Sequence, residues 1–254
     1  MHRTDTFAFA SIVCCLMPIQ AAAETPGCNF YNDVSISRPV SADKAPDPRV
    51  LRVAEGVDKV HFVKDGFDNP ACPADKSACR RHAYITALDQ VIVTGTSGDY
   101  SCAAFTSENA GHPITFGFLP TASLVEFPQT LQAIDWTGQW AVFTDRTITI
   151  SKDSDAILDI AVKSDFADHP VAVDPDNPDA PDWRVRLPEA GNPLSFSFDP
   201  DDDDPVIGEV AVDRENELLC RVRLWRLGEY LVVGDNGCNF SNTGTAGGVY
   251  RKVD

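Results

Sequence analysis

The sequence is short of positive charge. It has 21 Lys and Arg against 38 Asp and Glu, giving a formal charge of −17 and a pI near 4.5. A chain so anionic repels a nucleic-acid backbone and an acidic membrane surface, and neither is an expected partner. Long apolar runs are scarce too: Phe7–Ile19 is thirteen residues, too short to span a bilayer. Sustained apolar spacing at i, i+3 and i+4 is missing, which argues against a helical body. The catalytic patterns GxSxG and HExxH do not occur, nor does CxxC. What the chain does have is 43% hydrophobic residues, enough to build a core.

The N-terminus reads as a cleavable export signal over residues 1–23. Arg3 supplies a short basic region, Phe7–Ile19 the apolar stretch, and Pro18 breaks it ahead of Ala21-Ala22-Ala23, a small-residue cleavage site. Cleavage after Ala23 starts the mature chain at Glu24, with no membrane span left. The expected location is a bacterial periplasm, with secretion to the medium as the alternative. Cys14 and Cys15 leave with the signal, and the remaining six are Cys28, Cys72, Cys79, Cys102, Cys220 and Cys238. An even number in an oxidising compartment points to three disulfides rather than a catalytic thiol or zinc. Six cysteines allow fifteen pairings. Closeness in sequence favours Cys72–Cys79 and Cys220–Cys238, which leaves Cys28–Cys102.

Gly and Pro punctuate the mature chain, and short runs of period-two alternation dominate between them. Strands are expected at Val60–Val63, His82–Thr86, Gln90–Thr94, Tyr100–Thr106 and Thr115–Leu119. In the second half they are expected at Gln139–Thr144, Thr147–Ser151, Ile157–Val162, Leu194–Phe198, Val206–Val212, Leu218–Trp225, Tyr230–Val233 and Gly248–Arg251. That spacing implies sandwiches or barrels. The predicted order is an arm over 24–56, a first domain over 57–128 and a second over 129–254, with the boundary near Phe127-Pro128-Gln129-Thr130.

The runs Asp89–Gly95, Gly98–Phe105 and Gly117–Leu124 carry a resemblance to bacterial SH3-like domains. In that family a strand, a Gly-rich hairpin and an aromatic-bearing strand precede a Gly-Trp-Val/Leu strand and a short 3₁₀ turn ending in Leu. Phe118 stands where the family has Trp, and 58–66 with the Cys72–Cys79 insertion replaces the usual first segment. The resemblance implies an all-β fold, an SH3-like small barrel followed by a second antiparallel β-barrel or sandwich. It also implies a shallow aromatic cleft formed by Tyr84, Tyr100, Phe105 and Phe118, for an envelope peptide or a peptidoglycan fragment. In the second half, Trp136–Trp140, Leu218–Cys238 and Gly247–Arg251 resemble β modules of exported bacterial proteins. Lipocalin-like barrels likewise begin with a Gly-x-Trp strand and end near a capping Arg, parts that Trp140 and Arg251 fit. The plainer reading makes Trp136, Trp140 and Trp225 core aromatics.

Two Pro-flanked acidic runs remain. Asp168–Asp182 includes Asp174, Asp176 and Asp179, and Asp199–Pro205 includes Asp201, Asp202, Asp203 and Asp204. Clustered Asp suits calcium, but the Gly and distal Glu of an EF-hand loop are missing, and the prolines favour solvated loops. The histidines His61, His82, His112 and His169 sit in dissimilar contexts and read as solvated or packed side chains. No cofactor is expected and no oligomeric state is implied. The leading expectation is a non-enzymatic binding protein of the cell envelope. The alternative is an acidic periplasmic inhibitor or immunity protein against a basic, lysozyme-like hydrolase, with the Asp-rich loops as its steering charge.

Overall fold

The computed structural model describes residues 27–28, 47–106, 114–127, 134–142, 146–154, 156–164, 183–189, 191–198, 206–207, 220–235 and 246–253. Over these residues the chain is all-β, with two antiparallel sheets and no α-helix. No helix among them is long and apolar enough to cross a membrane.

The first sheet holds β1 (Arg49–Val53), β2 (Val60–Val63), β3 (Arg80–Ile85), β4 (Gln90–Ser97), β5 (Tyr100–Phe105), β6 (Thr115–Pro120) and β7 (Leu124–Glu126). Their spatial order is β3-β2-β6-β5-β4-β1-β7. The hairpin β2–β3 is a long excursion between β1 and β4. Strands β4, β5 and β6 form a meander, and a 3₁₀ turn at Thr121–Ser123 leads into β7, which pairs with β1. Gly98, at φ 57°, supplies the left-handed residue of the two-residue turn joining β4 to β5. Strand β1 lies inside the predicted N-terminal arm. It belongs to the sheet because Val50, Leu51 and Val53 are all buried there.

The second sheet holds β8 (Gly138–Val142), β9 (Arg146–Ser154), β10 (Ile157–Ser164), β11 (Trp183–Pro188), β12 (Leu194–Phe198), β13 (Val206–Ile207), β14 (Cys220–Leu227), β15 (Tyr230–Asp235) and β16 (Gly248–Val253). The order is β11-β10-β9-β8-β16-β15-β14-β12-β13. The sheet curls on itself: Val185 and Leu187 near one edge share a single core with Leu194 and Phe196 near the other. Trp136, Trp140 and Tyr250 fill that core. At its rim the buried Asp235 carboxylate accepts the Gly247 N–H at 3.0 Å, and the Tyr250 hydroxyl donates to Ala246 O at 2.7 Å. These bonds hold the start of β16. The strand predicted at Val206–Val212 is present at Val206–Ile207, its remainder lying outside the described residues.

Alternation along the strands gives the first sheet two apolar faces. Val91, Val93, Ala103 and Leu119 point into the barrel interior with Val53, Phe62 and Ile85. Val50, Ile92 and Ala104 point the other way. They meet Trp225, Leu227, Tyr230, Val232 and Val249 of the second sheet, with Phe116 and Phe127 packed alongside. Strands β14 to β16 are two-faced as well, since Val222, Leu224, Leu231, Val233 and Tyr250 turn into the second core. The Trp225 indole N–H donates to Asp47 at 3.2 Å and adds a polar tie between the sheets.

Part of the outer face that the second sheet leaves is covered by disulfides. Cys28–Cys102 and Cys72–Cys79 form as expected and pack with Val63, Phe118 and Tyr100 in one cluster. Cys220 is disulfide-bonded as well, and its expected partner Cys238 lies outside the described residues. The sheet-to-sheet interface yields a test. Ile92→Ala should lower stability by about 2–5 kcal/mol. Native-state hydrogen exchange should show amide protection falling in β14–β16 of the second sheet as well as in β4.

Candidate functional site

The four aromatic residues expected to line one cleft do not share a surface. Phe118 is 1% exposed and sits in the disulfide cluster, so its ring is core and not a ligand contact. Tyr100 and Phe105 lie five residues apart on β5, and alternation sends them to opposite faces. Tyr100 packs on the disulfides, while Phe105 packs against the barrel interior. Burial, then the Asp75 and Asp99 carboxylates, push the Tyr100 phenol above its ordinary range. The assignment of a four-residue cleft is therefore corrected by strand geometry. Tyr84 alone of the four is open, at 47% exposure.

Around Tyr84 the β2–β3 hairpin gathers groups that the cleft reading omits. The Lys59 ammonium lies 4.4 Å from the Tyr84 ring centroid, within cation–π range. The His61 ring stands beside Tyr84 at 5.6 Å, since the two residues face each other across the strand pair. Along β3, Arg80, His82 and Tyr84 alternate outward and are exposed, while Ala83 and Ile85 turn into the core. Arg81 forms a salt bridge with Asp68. Lys59 and Arg80 have no salt bridge among the described residues. The readable signal for this strip was the period-two pattern Arg80-x-His82-x-Tyr84. The turn after β3 adds an exposed Leu88 at φ 72°, a left-handed conformation unusual for a branched side chain.

A second cationic cluster closes one end of the curled sheet. Trp140 is fully buried, with the Arg226 guanidinium 4.4 Å from its ring and the Lys252 ammonium at 5.6 Å. The Arg that lies over Trp140 is thus Arg226 and not Arg251, which lies by Tyr230 at 6.0 Å. Alternation explains the exchange: Arg226 and Lys252 share the parity of Leu224 and Tyr250, which point inward, and Arg251 points out. Burial lowers the Arg226 pKa, against the opposing pull of Glu229 and Asp135. Asn192 holds this end of β14, accepting the Arg226 N–H at 3.0 Å and donating to the Arg226 carbonyl at 2.8 Å.

Both cations reach Asp135. Lys252 lies 4.0 Å from its carboxylate, and Arg226 Nε donates to its backbone oxygen at 3.3 Å. The Asp135 carboxylate also accepts the Thr137 hydroxyl at 2.7 Å and the Thr137 N–H at 3.0 Å. Those two bonds, then Lys252 and Arg226, hold it below the usual carboxylate range although burial pulls upward.

The acidic runs with Asp174, Asp176, Asp179 and Asp201–Asp204 lie outside the described residues, as do His112 and His169. Among the described residues no group of three or more His, Cys, Asp or Glu gathers as a metal site. Comparison with protein-family models, curated proteins and solved structures finds no match.

The Asp135 arrangement predicts a pH dependence. A carboxylate with a depressed folded pKa stabilises the fold above its unfolded pKa, and that contribution is lost as pH falls through the folded value. Asp135→Asn should therefore lower stability modestly near neutral pH and flatten its fall on the acid side, as read from urea midpoints across that range.

Proposed function

We propose that the chain is an exported, non-enzymatic binding protein of the bacterial cell envelope, whose first sheet is an SH3-like unit that contacts a peptide or cell-wall ligand. The observation that carries this reading is the order of elements in that sheet. The meander of β4, β5 and β6 and the 3₁₀ turn leading to Leu124 follow the order that the SH3-like resemblance implies, and β7 then returns to pair with β1. The disulfides support export, because such bonds persist in oxidising compartments. The exposed contact groups lie on the β2–β3 hairpin, a loop-borne excursion from a rigid sheet, which is where binding residues concentrate.

Two measurements test the reading. The exported protein, sequenced from its N-terminus, should begin at Glu24. Purified protein immobilised with its disulfides intact should retain a peptidoglycan fragment or an envelope peptide from solubilised envelopes. Recovery of neither would overturn the binding role.

A further inference from the structure

The outer edge of the first sheet is β3, which pairs with β2 on one side and with no described strand on the other. Its backbone alternates. The Cys79 carbonyl accepts Lys64 N–H at 2.8 Å and the Arg81 carbonyl is met by the His61 ring at 3.1 Å, so odd-numbered residues turn toward β2. His82 and Tyr84 then present their N–H and C=O groups to the open side. Proteins guard such edges, because a bare ladder accepts any extended chain.

On this edge the guard is cationic. Arg80, His82 and Tyr84 line the exposed face of the strand, and Lys59 and His61 flank the tyrosine. Neither Lys59 nor Arg80 is met by a salt bridge among the described residues, since Asp68 takes the neighbouring Arg81. In a chain of formal charge −17 this is a local reversal of sign. Pairing β3 with a second copy of itself sets Arg80 and Arg81 against the same pair, and like charges across a strand pair are destabilising. An extended segment with Asp or Glu at alternate positions meets the opposite situation. Its backbone finds the free His82 and Tyr84 groups, and its carboxylates find Lys59 and Arg80. One device thus excludes one partner and selects another.

We infer that β3 is a strand-addition site for an acidic, extended peptide, with His82 and Tyr84 supplying the ladder and Lys59 and Arg80 the charge selectivity. This deepens the binding-protein reading and rests on it. The mode is β-augmentation, in which main-chain bonds supply affinity and side chains specificity.

The test uses the full mature chain with its disulfides intact and a short labelled peptide alternating Glu and Val, followed by fluorescence anisotropy. A Lys–Val peptide of equal length is the control. The acidic peptide should bind, and the basic one should not. Lys59→Glu with Arg80→Glu, both at exposed positions, should weaken binding by at least about tenfold and leave it less salt-sensitive than in the parent. His82→Pro removes one N–H on the open side, a place where an edge strand tolerates proline. It should abolish binding while leaving the fold intact by circular dichroism. If that variant unfolds, amide exchange of the parent decides the point, since bound peptide should protect the His82 and Tyr84 amides. Equal binding of both peptides, or no protection of those amides, would overturn the site. Retention of an envelope ligand together with indifference to the acidic peptide would overturn this inference alone and leave the binding role standing.

Discussion

Strand β4 carries Val91 and Val93 into the barrel interior and Ile92 into the layer beneath the second sheet. Strand β15 repeats the device, with Leu231 and Val233 facing one core and Tyr230 and Val232 the other. Both strands are buried on two sides, so neither sheet can leave the other without exposing aromatic and β-branched surface. Each such side chain fully buried is worth about 1.5–3 kcal/mol. Everything exposed in the first sheet is displaced to its periphery by this contact, including the β2–β3 hairpin that carries the candidate contact groups.

The disulfides complete the same task where the second sheet does not reach. Cys28–Cys102 spans 74 residues and Cys72–Cys79 spans 7, yet they meet in one cluster over Phe118 and Val63. In the chain-entropy picture the long loop is worth about 4.5 kcal/mol and the short one about 2.5 kcal/mol. The long bridge therefore ties the arm to the sheet, and the short one shapes the insertion between β2 and β3. Asp65 secures the neighbouring turn by accepting the Phe67 and Asp68 N–H groups at 3.0 and 2.9 Å, and its other oxygen takes the Cys28 N–H at 3.3 Å.

Much of the strand pattern was legible. Val60–Val63 and Leu194–Phe198 coincide with their predicted bounds, and most other predicted strands are present with ends shifted by one or a few residues. β1, β7 and β11 were not expected. Strand β7 is three residues long, and β1 follows a Pro-rich stretch that masks its alternation. The unbroken apolar runs Val91–Val93 and Tyr230–Val233 held a further signal, since a strand buried on one face alternates and one buried on both does not. The candidate site was less legible. Tyr84 emerges as exposed, but its association with Lys59 depends on the cross-strand register that sets His61 opposite Tyr84 and Lys59 diagonal to it, which residue type does not encode. The exchange of Arg251 for Arg226 at Trp140 likewise turned on strand parity.

Composition and spacing by themselves determined the anionic character, the all-β class, the stapling cysteines and the position of most strands. Each of these is a local or additive property: charge sums residue by residue, and alternation shows within a few residues of chain. Only the tertiary structure decided that Phe118 is core, that the two sheets share an apolar layer, and that the cations of β3 line an edge with no described strand beyond it. Those facts depend on which strand lies beside which and which face is covered. They are set by contacts between residues as distant in sequence as Asp47 and Trp225, and no local pattern carries them.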